Sequence, residues 1–156
     1  MFFTFIHLVH FMVPNYSPMT KLDIASDLRD VVLEEPVLVH KPGNTLDEDR
    51  KLSGCIAGYW FGRESNYRPE VTGDGGSSHG VGQIKSEHVA LVNVSLADVK
   101  TNRRESMRAA YRLMRHEIVR CGGVVSGLGA YASGKCGKAT GLVASRIAIA
   151  TDLCTR

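Results

Sequence analysis

Residues Trp60 to Ile84 read WFGRESNYRPEVTGDGGSSHGVGQI, and the rest of the chain is organised around them. Glu64 sits where an apolar, aromatic helix stops. Pro69 forbids that helix from continuing far beyond Tyr67. A loop without large side chains follows, with Gly73, Gly75 and Gly76 beside Ser77 and Ser78. Val81 to Ile84 is a short apolar exit. A carboxyl group at the edge of an apolar wall, here Tyr59 and Trp60, and facing a glycine-lined cleft is suited to general-acid chemistry. Such a wall penalises the ionised form of a carboxyl, so it can hold a proton near working pH.

Upstream, Thr45-Leu-Asp-Glu48 has the form of a capping box, with Thr45 as N-cap and Glu48 three positions on. The helix it opens runs to about Glu64. Leu52, Cys55, Ile56, Tyr59, Trp60 and Arg63 follow the helical period. Glu64 lies four residues after Trp60 and leaves on or beside the buried face. Before it, Thr20 to Leu33 reads as an amphipathic helix ended by Pro36. Val37 to Val39 reads as a short extended piece and Lys41-Pro-Gly-Asn44 as a turn.

Residues 1–13, MFFTFIHLVHFMV, are almost wholly apolar. They are too few for a membrane span, which needs ~20 residues. They lack the basic start and small-residue cleavage site of a signal peptide. An extension or extra packing segment ranks ahead of an export signal or membrane contact. Met19 is an alternative start. The division is therefore 1–18 as an apolar extension or possible signal or anchor, and 19–156 as one catalytic domain.

Downstream, a helix is expected over about Ser86 to Leu91. A long one follows from Asp98 to Arg120, with Met107, Ala110, Tyr111, Met114, Ile118 and Val119 as its apolar stripe. Its arginines are expected to form a solvated face. Gly122 and Gly123 stop it. Val124–Tyr131 is a short apolar helix, residues 133–137 a turn, and Thr140–Cys154 a last apolar helix. The fold class expected is mainly α, a single domain with a glycine-rich loop or small β element beside the cleft.

At 156 residues, 44% hydrophobic and 22% charged, the chain has enough apolar side chain for a packed core. A net charge of +3 with no basic run and no nucleic-acid motif argues against a nucleic-acid partner. The four cysteines form no CxxC pair and have no histidine at zinc spacing, so no metal site is expected; the general-acid reading of Glu64 expects no organic cofactor either. Cys121 and Cys136 bracket a glycine-rich turn. A disulfide in an oxidising compartment and two buried thiols both remain open.

Glu64-Ser65, then Gly80-Val-Gly-Gln83-Ile84, then Ala130-Tyr131-Ala-Ser-Gly134 resemble the ES, GxxQI and AYxxG series of the soluble lytic transglycosylase and goose-type lysozyme superfamily. The resemblance covers roughly Leu46 to Ile147, about two-thirds of the chain. The region around Asn102 is similar to the family's segment in which an Asn opens the long helix. The resemblance implies a lysozyme-like domain that acts as a monomer on peptidoglycan outside the cytoplasm. It would cut the β-1,4 bond from N-acetylmuramic acid to N-acetylglucosamine. The lack of wall-binding repeats resembles a phage lysis or virion enzyme, or a small exported bacterial one.

By this resemblance Glu64 protonates the leaving oxygen. In a transglycosylase it then accepts the C6-hydroxyl proton, giving a 1,6-anhydro end. Gly80, Gln83 and Tyr131 match cleft-lining positions, and the Tyr131 hydroxyl is expected to hold Glu64. Ser65 is expected beside Glu64, and His79 as a cleft-loop contact to substrate. Asp74, in Gly73-Asp-Gly-Gly76, resembles an element of goose-type lysozymes. It reads either as the second carboxylate of an inverting hydrolase or as a turn residue. Lys85 stands where some goose-type enzymes carry a further acid. Val81-Gly82 replaces a larger pair, and Ala132 a frequent Asn. A non-catalytic wall-binding or virion module on the same scaffold is the reading from a different class.

Overall fold

The computed structural model describes residues 1–155. Helix α1 spans Phe2–Met12, α2 Pro18–Glu34 and α3 Leu46–Ser65. Strands β1 (Thr72–Gly73), β2 (Ser78–His79) and β3 (Ile84–Lys85) follow, then α4 (Leu96–Thr101), α5 (Arg103–Cys121), α6 (Val124–Ser133) and α7 (Thr140–Thr155). The molecule is mainly helical with one small antiparallel sheet in the order β1-β2-β3. Thr72 pairs with His79, and Ser78 with Lys85.

Helix α3 is the central element. The capping box forms as expected: Thr45 Oγ1 accepts from the Glu48 amide, and the Glu48 carboxylate accepts from the Thr45 amide at 2.7 Å. Ile56, Trp60 and Phe61 are fully buried. Three glycines spaced by four, Gly54, Gly58 and Gly62, line one face of the helix. A Cβ on Gly54 would lie 2.3 Å from the Phe5 ring, one on Gly58 2.8 Å from Leu8, and one on Gly62 2.7 Å from Met12. Helix α1 therefore rests directly on the α3 backbone. Its Phe5, Leu8 and Val9 have no exposure, so it is part of the core. Among the described residues no helix is long and apolar enough to cross a membrane.

Several sequence expectations change. The long helix expected from Asp98 is broken at Asn102, whose backbone is extended (φ −111°, ψ 110°). Its side chain accepts from the Glu105 amide at 3.2 Å and caps α5. The helix expected over about Ser86 to Leu91 is of the 3₁₀ type and spans Ser86–Val92. The Leu38 and Val39 amides of the piece at 37–39 donate to Ser53 Oγ and join no ladder. Arg115 and Arg120 are exposed, but the other four α5 arginines are not a solvated face. Arg103 meets Asp27 at 2.7 Å, Arg104 meets Asp30 at 2.6 Å, Arg112 meets Glu35 at 2.7 Å, and Arg108 pairs with Glu34. They clamp α5 to α2. All four cysteines are bonded: Cys121 to Cys136, as one reading had it, and Cys55 to Cys154, which the sequence analysis did not pair.

Candidate functional site

A groove of about 870 Å³ runs past the small sheet and is walled by α5, α6 and α7. Glu64, Asp74, Gln83 and Tyr131 all line it. They come from the end of α3, the β1–β2 connection, the turn before β3 and α6, so the fold gathers four of the seven expected site residues.

Glu64 occupies the last turn of α3. The chain leaves that helix through Asn66 and Tyr67, both with positive φ (53° and 61°). Asp74 and Gln83 are also in this region of backbone space, at 50° and 52°. Non-glycine residues rarely adopt it, and such strain collects at functional sites.

The surroundings of Glu64 differ from the expected bare aromatic wall. Arg146, on α7, lies over the Trp60 ring with its guanidinium carbon 5.2 Å from the centroid. Its Nη1 donates to Glu64 Oε1 at 3.3 Å. A cation is thus interposed between the wall and the carboxylate, and the Glu64 side chain keeps 30% of its exposure. Arg146 did not emerge from the motifs. One signal was available: it is the sole charged residue from Thr140 to Thr151.

Tyr131 does not hold Glu64. Its hydroxyl donates to the Gly82 carbonyl at 2.5 Å. Burial pushes its pKa up, and the nearby Glu64 charge adds to the shift, so the two side chains are in electrostatic reach. This bond explains the small residue in Gly80-Val-Gly-Gln. A Cβ on Gly82 would stand 2.2 Å from Ala110 Cβ and 2.5 Å from the Tyr131 hydroxyl. Gln83 donates from Nε2 to the Val71 and Gly80 carbonyls at 3.1 and 2.9 Å, and its Oε1 lies against Gly73, where a Cβ would stand 2.3 Å from it.

Asp74 is exposed in the groove lining, with Oδ2 accepting from Ser78 Oγ at 2.6 Å. Its Oδ1 has no partner among the described residues.

Three expected site residues do not line the groove. Ser65 is buried and donates to the Val81 carbonyl at 2.8 Å, tying the end of α3 to the loop. Gly80 is packed against the Val99 carbonyl and Ser106, where its positive φ (76°) and lack of a Cβ are both required. His79 is buried, with Nε2 within 2.9 Å of Ser86 Oγ and Nδ1 without a partner. Burial, and then the charge of Lys100, hold its pKa below the ordinary histidine value. It serves the sheet and makes no wall of the groove.

Lys85, Glu117, Arg120 and Ala132 also face the groove. Glu117 is nearly buried and pairs with Arg120. Among the described residues no cluster of three or more His, Cys, Asp or Glu is arranged to hold a metal ion. No family model, no curated protein and no solved structure matches this chain.

Proposed function

We propose that this protein is a peptidoglycan-cleaving glycosidase acting on the β-1,4 bond between N-acetylmuramic acid and N-acetylglucosamine, with Glu64 as the proton donor. The observation that carries the reading is the meeting of Glu64, Asp74, Gln83 and Tyr131 on one groove. These are motif residues from separate segments, and the groove is roomy enough for sugar rings. The proposed reaction is that of a lytic transglycosylase. Glu64 gives its proton to the leaving glycosidic oxygen as the C1–O bond breaks. The resulting carboxylate takes the proton of the muramic acid C6-hydroxyl, and that oxygen closes on C1. The acid is regenerated and no water is consumed.

A second reading is favoured by Asp74. Its Ser78-anchored carboxylate lines the same groove and has one oxygen unpartnered. In that reading Asp74 activates a water on the opposite face of the ring, and the enzyme is an inverting lysozyme. Both reactions need no cofactor from outside the chain. Two disulfides suit an oxidising compartment, which supports a place of action outside the cytoplasm.

Mass spectrometry of digested cell-wall sacculi tests the reading. The expected products are muropeptides with 1,6-anhydro ends. Reducing ends transfer the assignment to the Asp74 reaction. Glycan binding with no released muropeptide overturns the enzyme and leaves a wall-binding module.

A further inference from the structure

Arg146 has hydrogen-bonding capacity that the protein does not use. Its side chain keeps 20% of its exposure, at the groove, while Trp60 beneath it is fully buried. Stacking on a fixed ring holds the guanidinium in place whether or not Glu64 accepts from it. The contact to Glu64 is a single bond of 3.3 Å. Charge-assisted pairs ordinarily close to ~2.7–2.9 Å and often engage both prongs of the fork. No other acceptor among the described residues takes a hydrogen from Arg146. The other arginine in the groove, Arg120, is closed on Glu117 through both Nε and Nη2. An anchored, half-satisfied guanidinium beside the proposed acid is a built receptor for a planar anion.

We propose that Arg146 binds a carboxylate of the ligand through both prongs, so that the groove selects acidic glycans over neutral ones with the same β-1,4-linked N-acetylhexosamine backbone. The inference rests on the glycosidase reading of the groove. A muramic acid unit that bears no stem peptide carries a free lactyl carboxylate; where the peptide is attached that carboxyl is an uncharged amide, and an N-acetylglucosamine unit carries none. When the ligand's carboxylate takes the fork, the weak bond to Glu64 is given up. Both Glu64 oxygens are then free to face the glycosidic oxygen. Arg146 is a specificity residue in this scheme; it takes no part in bond breaking.

The chain has one tryptophan, Trp60, so its emission reports directly on the Arg146 platform. Three probes are titrated against the wild type, Arg146→Gln and Arg146→Lys. They are peptide-free glycan strands, the same strands with their carboxyl groups methyl-esterified, and neutral N-acetylglucosamine oligomers. The wild type is expected to bind native strands about tenfold more tightly than either uncharged probe, the scale of one charge-assisted pair. Arg146→Gln is expected to bind all three alike. Arg146→Lys, which keeps the charge but not the fork, is expected to fall between. The esterified strands test the point on the unaltered protein, so a misfolded variant does not block the result. Equal wild-type binding of native and esterified strands overturns the proposal, as does no binding of any probe. Cleavage is scored separately. Discrimination without cleavage keeps the carboxylate site and sinks the glycosidase reading; cleavage without discrimination does the reverse.

Discussion

Glu64 accepts from a guanidinium that lies over the Trp60 ring, and the Tyr131 hydroxyl is spent on a backbone carbonyl. Both facts come from residues far off in sequence, so the motif located the carboxylate but not its neighbours. Gly82 shows the same limit. As a letter between Gly80 and Gln83 it read only as half of a pair smaller than the one it replaces. In space it is the only residue type that lets Ala110 and the Tyr131 hydroxyl close on the loop. His79 gives a prediction at this scale. Protonation would put a hydrogen on Nδ1, which has no acceptor, in a buried setting. Its folded pKa is therefore depressed below the unfolded value of about 6.5. The sign follows: the folded state resists a proton that the unfolded chain accepts. The neutral ring's contribution to stability is fully present above about pH 6.5 and is lost as pH falls towards the folded pKa. Urea midpoints measured from pH 7.5 to 5 are expected to drop below 6.5 in the wild type. The drop is expected to be smaller in His79→Gln. Parallel curves for the two proteins would remove His79 as the cause.

Among the elements, α1 was the hardest to place from sequence. Its apolar run read first as an extension or packing segment and second as a signal or membrane contact, because composition alone does not say what covers a helix. The answer lay in α3, where Gly54, Gly58 and Gly62 recur at one helical face and leave a trough. That spacing is legible in the sequence, but it shares the helix with a stronger apolar period. Phe5, Leu8 and Met12 lie over the trough, and Phe5, Leu8 and Val9 are fully buried. Burying a large apolar side chain is worth about 1.5–3 kcal/mol, so these three together represent roughly 5–9 kcal/mol. A domain's whole stability is ~5–15 kcal/mol. A chain begun at Met19 is therefore expected to show no cooperative thermal transition by circular dichroism. A midpoint equal to that of the full chain would mean that α1 is dispensable to the fold.

At the scale of the molecule, the helical class and the order of most elements were legible, because amphipathic period, caps and glycine stops are local signals. The capping box at Thr45 and the stop at Gly122 stand where the sequence puts them. The clamp between α2 and α5 and the Cys55–Cys154 bond were not legible, since each joins segments more than seventy residues apart. The same distance hid Arg146, which α7 carries back to the end of α3. The disulfide at Cys154 ties α7 to α3 and so helps hold that arginine at Glu64. The proposed function places all the chemistry on one side chain. The most direct measurement is the rate at which Glu64→Gln clears a suspension of cell walls, with circular dichroism showing that the variant is folded. A glutamine keeps the size and hydrogen-bonding reach of the side chain but has no proton to give as an acid. The account predicts a rate lower by about 10²–10⁴-fold, the range that general-acid catalysis supplies. Clearance by the folded variant at the wild-type rate would contradict it.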